Sequence, residues 1–295
     1  MCSNQLRLWD APAGLSIMMG AICGDTAGSV YEWRNIRYKL DDAHLIADSA
    51  HYTDDTVLTC AVAKALSEAL PTLPKDWMNA PEAEQTMSEA VKQELRRFGL
   101  CFPVAGYGSK FIDWLATPDA EPYASWGNGS AMRVSYAGWI ARTLEEAEKL
   151  GEITAAVTHN HPEGIKGAAV VAGCIFLLRQ TGDKEAVRAY ASRFYNLNFA
   201  LDDIRHTYTF DASCQGSVPQ AIVAFLEGSS FTDVISGAIS IGGDSDTIAA
   251  IAASMAEVIH PIPEALLSDV TGRLDDPLLM AIAGAVAVAR ERYCG

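Results

Sequence analysis

The stretch DSDTIAAIAASMAEVI, residues 244–259, indicates the fold class of this protein. Its apolar residues recur every three or four positions, at Ile248, Ile251, Ala252, Met255, Ala256 and Ile259. That spacing is typical of one face of an amphipathic α-helix. The stretch TDDTVLTCAVAKALSEAL, residues 53–70, repeats the pattern with paired apolar residues near every fourth position. Both stretches therefore predict long amphipathic helices.

The rest of the chain favours the same class. Residues 165–178 and 278–289 are alanine-rich and apolar on most sides, which predicts two buried central helices. Alternating strand patterns are scarce, so we expect an all-α protein. Residues 71–81 and 117–126 are proline-containing loops without the composition of an interdomain linker. We therefore expect one domain over residues 1–295.

Composition excludes several classes of function. Lys plus Arg number 22 and Asp plus Glu 37, a formal net charge of −15, and 49% of the residues are hydrophobic. The apolar fraction argues against a disordered chain. The excess of acidic residues argues against nucleic acid or an anionic membrane surface as the main partner. The apolar segments 167–178 and 277–289 are shorter than the about 20 residues that a membrane-spanning helix needs. Neither kind of binding is expected, and the oligomeric state is left open.

The seven cysteines are an odd number and form no Cys-x-x-Cys pair, which favours a reducing compartment. The apolar residues 15–23 lack the preceding basic run of a signal peptide. We therefore expect a cytoplasmic protein. Cys214 is interpreted as a packed thiol, since the sequence places no activating base beside it.

Each of the two long helices opens with an acidic tetrapeptide, Thr53-Asp54-Asp55-Thr56 and Asp244-Ser245-Asp246-Thr247. Asp and Thr are favoured helix caps, which is one explanation. Neighbouring carboxylates exceed what a cap needs, however, and they repel each other unless a cation lies between them. Mg²⁺ and Mn²⁺ prefer such oxygen ligands. If the helix starts face each other, two ions could be held by Thr53, Asp54, Asp55, Asp244, Asp246 and Thr247.

A third acidic region follows a glycine pattern near the N-terminus. Gly20, Gly24 and Gly28 share one helical face, although each costs about 1 kcal/mol relative to Ala, so we expect close backbone packing there. Asp25 beside this face is interpreted as a buried, hydrogen-bonded carboxylate. For Glu32, a surface loop carboxylate and a third acidic group at the metal site are equally open.

Other polar clusters also have alternatives. The segment 125–130 is glycine-rich and precedes a helical stretch, where free amides can bind phosphate. Arg133 could contact phosphate or form an internal salt bridge. The pair His159 and His161 could hold zinc at a strand end, but its surroundings are helical and Pro162 fits the first position of a helix.

Five of these segments, in this order, resemble the motifs of the ADP-ribosylglycohydrolases. They are GDTAGSVYE (24–32), YTDDT (52–56), WGNGSAMR (126–133), Thr158-His159 and GDSDT (243–247). The resemblance implies a compact, orthogonal helical bundle with a central cleft that holds two divalent cations, Mg²⁺ or Mn²⁺. It also implies hydrolysis of the glycosidic bond at C1″ of ADP-ribose.

The resemblance also implies roles for individual residues. The metal ligands would be Thr53, Asp54, Asp55, Asp244, Asp246 and Thr247. The substrate would be bound by Ser125, Trp126, Gly127, Asn128, Gly129 and His159, with the segment around Gly127 cradling the pyrophosphate and Trp126 stacking on the ligand. Glu32 matches a glutamate of the serine-specific branch, and either Glu32 or Asp55 is the expected catalytic acid–base. Residues 105–110 contain no equivalent of the acidic residue of the arginine-specific branch.

The resulting hypothesis is a metal-dependent hydrolase that releases ADP-ribose from a modified acceptor. The acceptor could be arginine, serine, a nucleobase or a small metabolite. An alternative is a non-catalytic protein of the same fold, either crystallin-like or binding ADP-ribose. A two-metal phosphohydrolase that cleaves a pyrophosphate is a further alternative.

Overall fold

The structure is a computed structural model that describes residues 17–294. Within these residues the chain forms fifteen α-helices. The first eight are α1 (Met19–Gly28), α2 (Asp54–Ala69), α3 (Pro81–Cys101), α4 (Ser109–Ala116), α5 (Gly129–Met132), α6 (Ser135–Ile140), α7 (Leu144–Ala156) and α8 (Pro162–Thr181). The others are α9 (Lys184–Ala191), α10 (Leu201–Ile204), α11 (Cys214–Glu227), α12 (Phe231–Ile239), α13 (Ser245–Ile259), α14 (Glu264–Thr271) and α15 (Asp276–Cys294).

The all-α prediction is confirmed, with one helical domain in the described part of the chain. Extended pairing between residues 17 and 294 is limited to one antiparallel bridge between Gly127 and Ser213. The limits 1–295 stay a prediction, and the start of the apolar segment at Leu15 lies outside the described residues. The predicted loops are also present: 71–80 contains only short 3₁₀ turns, with Pro81 already the first residue of α3, and 117–126 lacks helix.

Helix α13 is the central element of the core. Nearly every residue from Ser245 to Ala256 is buried, and α1, α8, α11 and α12 pack against it. Helix α2 packs against α3 and α15. The two helices that open with acidic tetrapeptides are therefore both core helices, and their first turns lie at the same cleft.

The glycine face of α1 packs directly on the backbone of α13, as predicted. A Cβ atom added at Gly24 would lie 2.2 Å from the carbonyl oxygen of Ala249, and one at Gly28 would lie 2.4 Å from the Cα atom of Asp246. Real side chains do not tolerate such distances, so only glycine allows this approach. The close contact places the end of α1, with Asp25, beside the acidic start of α13.

A half-buried carboxylate of α13, that of Glu257, fixes the beginning of α1. Met18, which precedes α1, has a left-handed backbone and offers no side-chain cap. The Oε2 atom of Glu257 instead accepts a hydrogen bond from the amide of Gly20 at 2.8 Å. Its Oε1 atom accepts from the indole of Trp139 at 3.2 Å. This long-range cap satisfies an amide that a helix start otherwise leaves unpaired.

The two helices predicted to be central differ from each other. Helix α8 has 20 residues, longer than its apolar segment indicated, and by length and composition it could cross a membrane. In the fold, however, 67% of its most apolar 18-residue stretch is buried, and a core helix can have the same length and composition as a membrane span. For α15 the prediction is wrong, because one face packs on α2 while Met280 on the other face is 75% exposed. Because alanine and glycine occur on most sides of α15, its sequence shows no clear hydrophobic periodicity from which the buried face could be predicted.

Candidate functional site

A cleft of about 500 Å³ lies where the starts of α2 and α13 meet. Twelve of the thirteen residues predicted for the site line it: Glu32, Thr53, Asp54, Asp55, Ser125, Gly127, Asn128, Gly129, His159, Asp244, Asp246 and Thr247. Segments more than two hundred positions apart in the chain thus contribute to one cavity.

The turn before α13 requires glycine. Gly242 and Gly243 have φ angles of 66° and 74°, in the left-handed region that side chains rarely adopt. The amide of Gly243 donates to the side-chain oxygen of Asn35 at 3.0 Å, and a Cβ atom there would lie 2.5 Å from Tyr208. The turn is therefore held tightly, and it delivers Asp244 to the cleft.

The carboxylates at the cleft form two adjoining groups that share one member. Oxygen atoms of Asp25, Asp55 and Asp246 lie within 4.8 Å of one another, and so do oxygen atoms of Glu32, Asp244 and Asp246. Asp246 is thus placed between the two groups. For Glu32 the structure favours the metal-site interpretation over a plain surface loop. We call these five residues the acidic end of the cleft.

Asp25 supports the start of α2. It is fully buried, and it accepts hydrogen bonds from the amide of Thr53 at 2.9 Å and the hydroxyl of Thr53 at 2.7 Å. It also accepts from the amide and hydroxyl of Thr56. The interpretation of Asp25 as a buried, hydrogen-bonded carboxylate is confirmed, although it also borders the acidic end. The sequence prediction did not include it among the site residues.

Among the predicted metal ligands at the starts of α2 and α13, helix capping accounts only for Thr53. Thr53 is the cap of α2, accepting a hydrogen bond from the amide of Asp55 at 3.3 Å, whereas Asp244 makes no side-chain cap for α13. The Oδ2 atom of Asp55 accepts from the hydroxyl of Thr247 at 3.2 Å, but its Oδ1 atom is buried without a partner. A buried oxygen without a partner is costly, so it points to a missing ligand.

The crowding of these groups raises their pKa values. Burial, together with the charges of Asp25 and Asp244, raises the pKa of Asp54 to about 8. Burial and the charge of Asp244 raise the pKa of Glu32 to about 7. The pKa values of Asp55 and Asp246 lie well above the usual range for the same reasons. Without a counter-charge, the protein therefore holds protons at this end of the cleft.

These observations are compatible with bound metal ions. Carboxylate and hydroxyl oxygens are the donors that hard divalent cations prefer, and a cation would satisfy the lone Oδ1 atom of Asp55 and offset the repulsion. Asp54 lines the cleft beside the two groups but belongs to neither. Within residues 17–294 these two are the only groups of three or more metal-ligating side chains that lie close enough together, so the pair His159 and His161 is not such a site.

The other end of the cleft carries cations and glycines. Arg133 is fully buried, and its Nη2 atom donates to the carbonyl of Thr154 at 3.0 Å and to the hydroxyl of Thr158 at 2.8 Å. It forms hydrogen bonds rather than the expected salt bridge, and its Nε and Nη1 atoms have no partner. Burial lowers the pKa of Arg133 to about 10, and burial together with the charges of Arg133 and Lys110 lowers the pKa of His159 well below its usual range.

The glycine-rich loop is only partly available to a ligand. The amide of Gly127 donates to the hydroxyl of Ser125 at 3.0 Å, and the amide of Asn128 donates to the carbonyl of Ala212 at 2.8 Å. The side chain of Asn128 donates to Asp244 at 2.7 Å, which joins this loop to the acidic end. The predicted helix after the loop is a single turn, Gly129–Met132. We call this loop, with Arg133, His159 and Lys110, the cationic end of the cleft.

Trp126 is the one predicted site residue that does not line the cleft. It borders an adjoining shallow pocket and is 49% exposed. Its ring meets the ring of His161 edge-on at 5.3 Å, and the Nζ atom of Lys110 lies 5.6 Å from its centroid. His161 also accepts from the amide of Glu163 at 3.1 Å, which agrees with a local structural role at the start of α8.

Two further sequence interpretations can be compared with the structure. Cys214 is a buried thiol whose Sγ donates to the carbonyl of Gly127 at 3.1 Å, as expected for a packed cysteine. Residues 104–111 form one wall of the cleft and contribute Lys110 but no carboxylate. Lys110 and Phe210 line the cleft and were not predicted, since neither lies in an acidic or glycine-rich motif with a known spacing.

The comparisons with known proteins agree with these features. A family model described as ADP-ribosylglycohydrolase matches residues 14–293. ADP-ribosylhydrolase ARH3 of Homo sapiens is 26% identical, with 81% of this chain and 83% of that protein covered. The Mus musculus protein of the same name is 24% identical, with 81% of each chain covered.

A solved structure named "ADP-ribosylglycohydrolase-related protein complex" shows the same fold. It superposes with a TM-score of 0.65 over 98% of this chain and 99% of that chain, at 20% sequence identity. The family model spans nearly the whole sequence, including both acidic tetrapeptides and the glycine-rich loop. The protein therefore belongs to the ADP-ribosylglycohydrolase family.

Proposed function

We propose that this protein is a metal-dependent hydrolase that releases ADP-ribose from a modified acceptor by cleaving the glycosidic bond at C1″. The observation that carries the proposal is the division of one cleft into an acidic end and a cationic end. ADP-ribose has matching parts, since its hydroxyl-rich distal ribose suits an oxygen-ligated metal site and its pyrophosphate suits cations and backbone amides.

The acidic end would hold two divalent cations, Mg²⁺ or Mn²⁺. Asp55, Asp244 and Asp246 would supply carboxylates, with Asp246 shared, and Thr53 and Thr247 would supply hydroxyls. Asp54 lines the cleft beside them. Such ions supply Lewis-acid chemistry and lower the pKa of nearby water. The carboxylates around the sugar would also stabilise the positive charge that develops at C1″ in an oxocarbenium-like transition state.

Glu32 is the better candidate than Asp55 for the catalytic acid–base. Asp55 is buried, and one of its oxygens already accepts a hydrogen bond from Thr247. Glu32 is only half-buried and faces the cleft, and its pKa is raised to about 7. A proton-transfer group works best when its pKa is near the working pH. We therefore assign Glu32 to proton transfer and Asp55 to the metal ligands.

The cationic end would bind the pyrophosphate. Arg133 and Lys110 place positive charge near His159, and the loop at Gly127–Gly129 lets a ligand approach the backbone. Trp126 borders the adjoining pocket, which shares Ser125 and Gly127 with the cleft, so it would flank the adenosine part rather than sit in the cleft itself.

An assay with several acceptors tests the proposal. Peptides that carry ADP-ribose on arginine or serine, an ADP-ribosylated nucleobase and an ADP-ribosyl metabolite are incubated with the protein, with Mg²⁺ or Mn²⁺ or with EDTA. We expect intact ADP-ribose, detected by mass spectrometry, from at least one acceptor and only with the metal. AMP as the product would indicate pyrophosphate cleavage, and binding of ADP-ribose without turnover would indicate a non-catalytic protein.

A further inference from the structure

Helix α15 is firmly held on one side, and its other side is exposed. Its inner face packs on α2 and α6, and the hydroxyl of Tyr136 donates to a backbone carbonyl in its middle at 2.8 Å. The hydroxyl of Tyr52 donates to Asp275 just before the helix, and Arg292 near the end forms an ion pair with Glu146. These contacts fix the position of α15, so its outer face is a defined surface.

The exposed residues of this outer face follow a regular spacing. They are separated alternately by four and three positions and are Asp276, Met280, Ala283, Ala287 and Arg290. Such a spacing is typical of the line along which two packed helices meet. Met280, the largest apolar side chain of the set, is 75% exposed. We call these five residues the α15 seam.

Gly284, beside the seam, has no structural explanation within the described chain. Glycine inside a helix costs about 1 kcal/mol relative to alanine. The glycines of α1 are explained by their close contact with α13, where a Cβ atom would not fit. A Cβ atom added at Gly284 would instead meet no atom from another part of the described chain within 4 Å. A glycine beside two alanines would, however, let the backbone of a second helix approach closely.

The charges of the seam are complementary to those of a second copy. Residues 277–289 carry no charged side chain, although the protein has a formal net charge of −15. Asp276 and Arg290 bound this segment, and each lies seven positions from Ala283, about 10 Å along the helix axis. In an antiparallel pair of α15 helices that cross at Ala283, Asp276 of each copy therefore meets Arg290 of the other. A parallel pair would bring like charges together.

We propose that two copies of this protein associate through the α15 seam, with the two helices antiparallel and a two-fold axis near Ala283. A two-fold interface uses the same surface on both copies, which the self-complementary charges allow. The seam is about 21 Å long, so the interface is small and we expect a Kd on the order of 50 µM. The proposal does not depend on the proposed function, because the residues that line the cleft belong to other elements.

Sedimentation velocity at protein concentrations from about 5 to 200 µM tests the association. We expect the wild-type protein to shift from monomer to dimer over this range. Ala283→Glu places two carboxylates at the two-fold axis, so the Kd should rise at least about tenfold while the thermal melt stays that of the wild type. Gln85→Glu, with the same change of charge at an exposed position of α3, is the matched control and should dimerise like the wild type.

Two outcomes of this experiment would overturn the proposal. A wild-type protein that stays monomeric at every concentration would leave the α15 seam to a different partner. A dimer that Ala283→Glu does not weaken would use another surface of the molecule.

Exchanging the two charges tests the antiparallel arrangement. Asp276→Lys and Arg290→Glu each create two like-charged pairs, so each alone should raise the Kd about fivefold. The double variant restores opposite charges in exchanged positions, and its Kd should return to within about twofold of the wild-type value. A double variant that dimerises no better than the single variants would contradict this arrangement.

Gly284→Ala tests the close approach of the two helices. The added methyl fits the isolated chain, so it should stabilise the monomer, but it would widen the contact and raise the Kd of the dimer about threefold. An equal or lower Kd would contradict close packing at the α15 seam.

Discussion

The two ends of the cleft are built in different ways. The acidic end brings together carboxylates from α1, the turn after α1, α2, the turn before α13, and α13 itself. These carboxylates repel one another. The cationic end comes mostly from residues 123–133 and 158–159, and its central side chains are hydrogen-bonded to each other. The acidic end thus needs a counter-charge from outside the protein. At the cationic end the protein itself satisfies the Nη2 atom of Arg133, and its Nε and Nη1 atoms are left without a partner.

Removing the shared carboxylate should break the acidic end most completely. In Asp246→Ala both groups lose a member, so we expect hydrolysis to fall about 1,000-fold or more and metal content to fall with it. Activity and metal analysis of the purified variant measure this. Asp113→Asn, an exposed carboxylate on α4, is the matched control and should retain wild-type values. Full activity in Asp246→Ala would refute the placement of the metal site.

Gly28→Ala should disturb the acidic end through the backbone. The new methyl would press on Asp246, so we expect a loss of about 3 kcal/mol in the free energy of unfolding and weaker metal binding. Denaturant melts and metal titration test both effects. Gly284→Ala is the control, because that glycine is exposed on α15 with open space around it. It should stabilise the protein by about 0.5–1 kcal/mol.

The acidic end should also make stability depend on pH. The pKa values of Glu32 and Asp54 are raised to about 7 and about 8 in the folded protein, above the values near 4 of an unfolded chain. With these two groups the folded state binds more protons, so their contribution to stability is greatest at low pH and is lost as the pH rises from about 4 to 8. In EDTA we expect Tm to decrease between pH 5.5 and 8, and saturating Mg²⁺ or Mn²⁺ should reduce that decrease. Identical pH profiles with and without metal would contradict the account.

A smaller effect is expected at the cationic end. Lys110 lies at its rim, where its charge is partly screened by solvent. Lys110→Gln should raise the Kd for ADP-ribose roughly fivefold and make it less sensitive to salt. Calorimetry at two ionic strengths measures this, with the exposed Lys75→Gln as control. An unchanged Kd and salt dependence would show that Lys110 does not contact the ligand.

The sequence predicted the acidic end better than the cationic one. Asp54, Asp55, Asp244 and Asp246 stand in two similar tetrapeptides, and helix periodicity placed both at helix starts. What periodicity could not provide was the position of Asp25, which depends on how the glycine face of α1 meets α13. The sequence around a single carboxylate within a helix does not indicate which other helix that carboxylate will contact.

The cationic end depends on contacts that no local pattern encodes. The motif at Gly127 predicted a phosphate loop, but the sequence did not indicate that Asn128 donates to Asp244 or that Arg133 bonds Thr158. Trp126 was placed in the site because the resemblance to the family implied that its ring stacks on the ligand, whereas the loop places its ring at the adjoining pocket. The orientation of α15 was likewise beyond prediction, because alanine and glycine fit both a buried and an exposed face.

Anomalous scattering at the manganese edge, from crystals grown with Mn²⁺, tests the central claim most directly. The account predicts two anomalous peaks at the acidic end, both within coordinating distance of the Asp246 carboxylate. Its neighbours Asp55 and Asp244 should each contact at least one of the ions. A map without peaks at this end, or with manganese bound only elsewhere on the molecule, would contradict it.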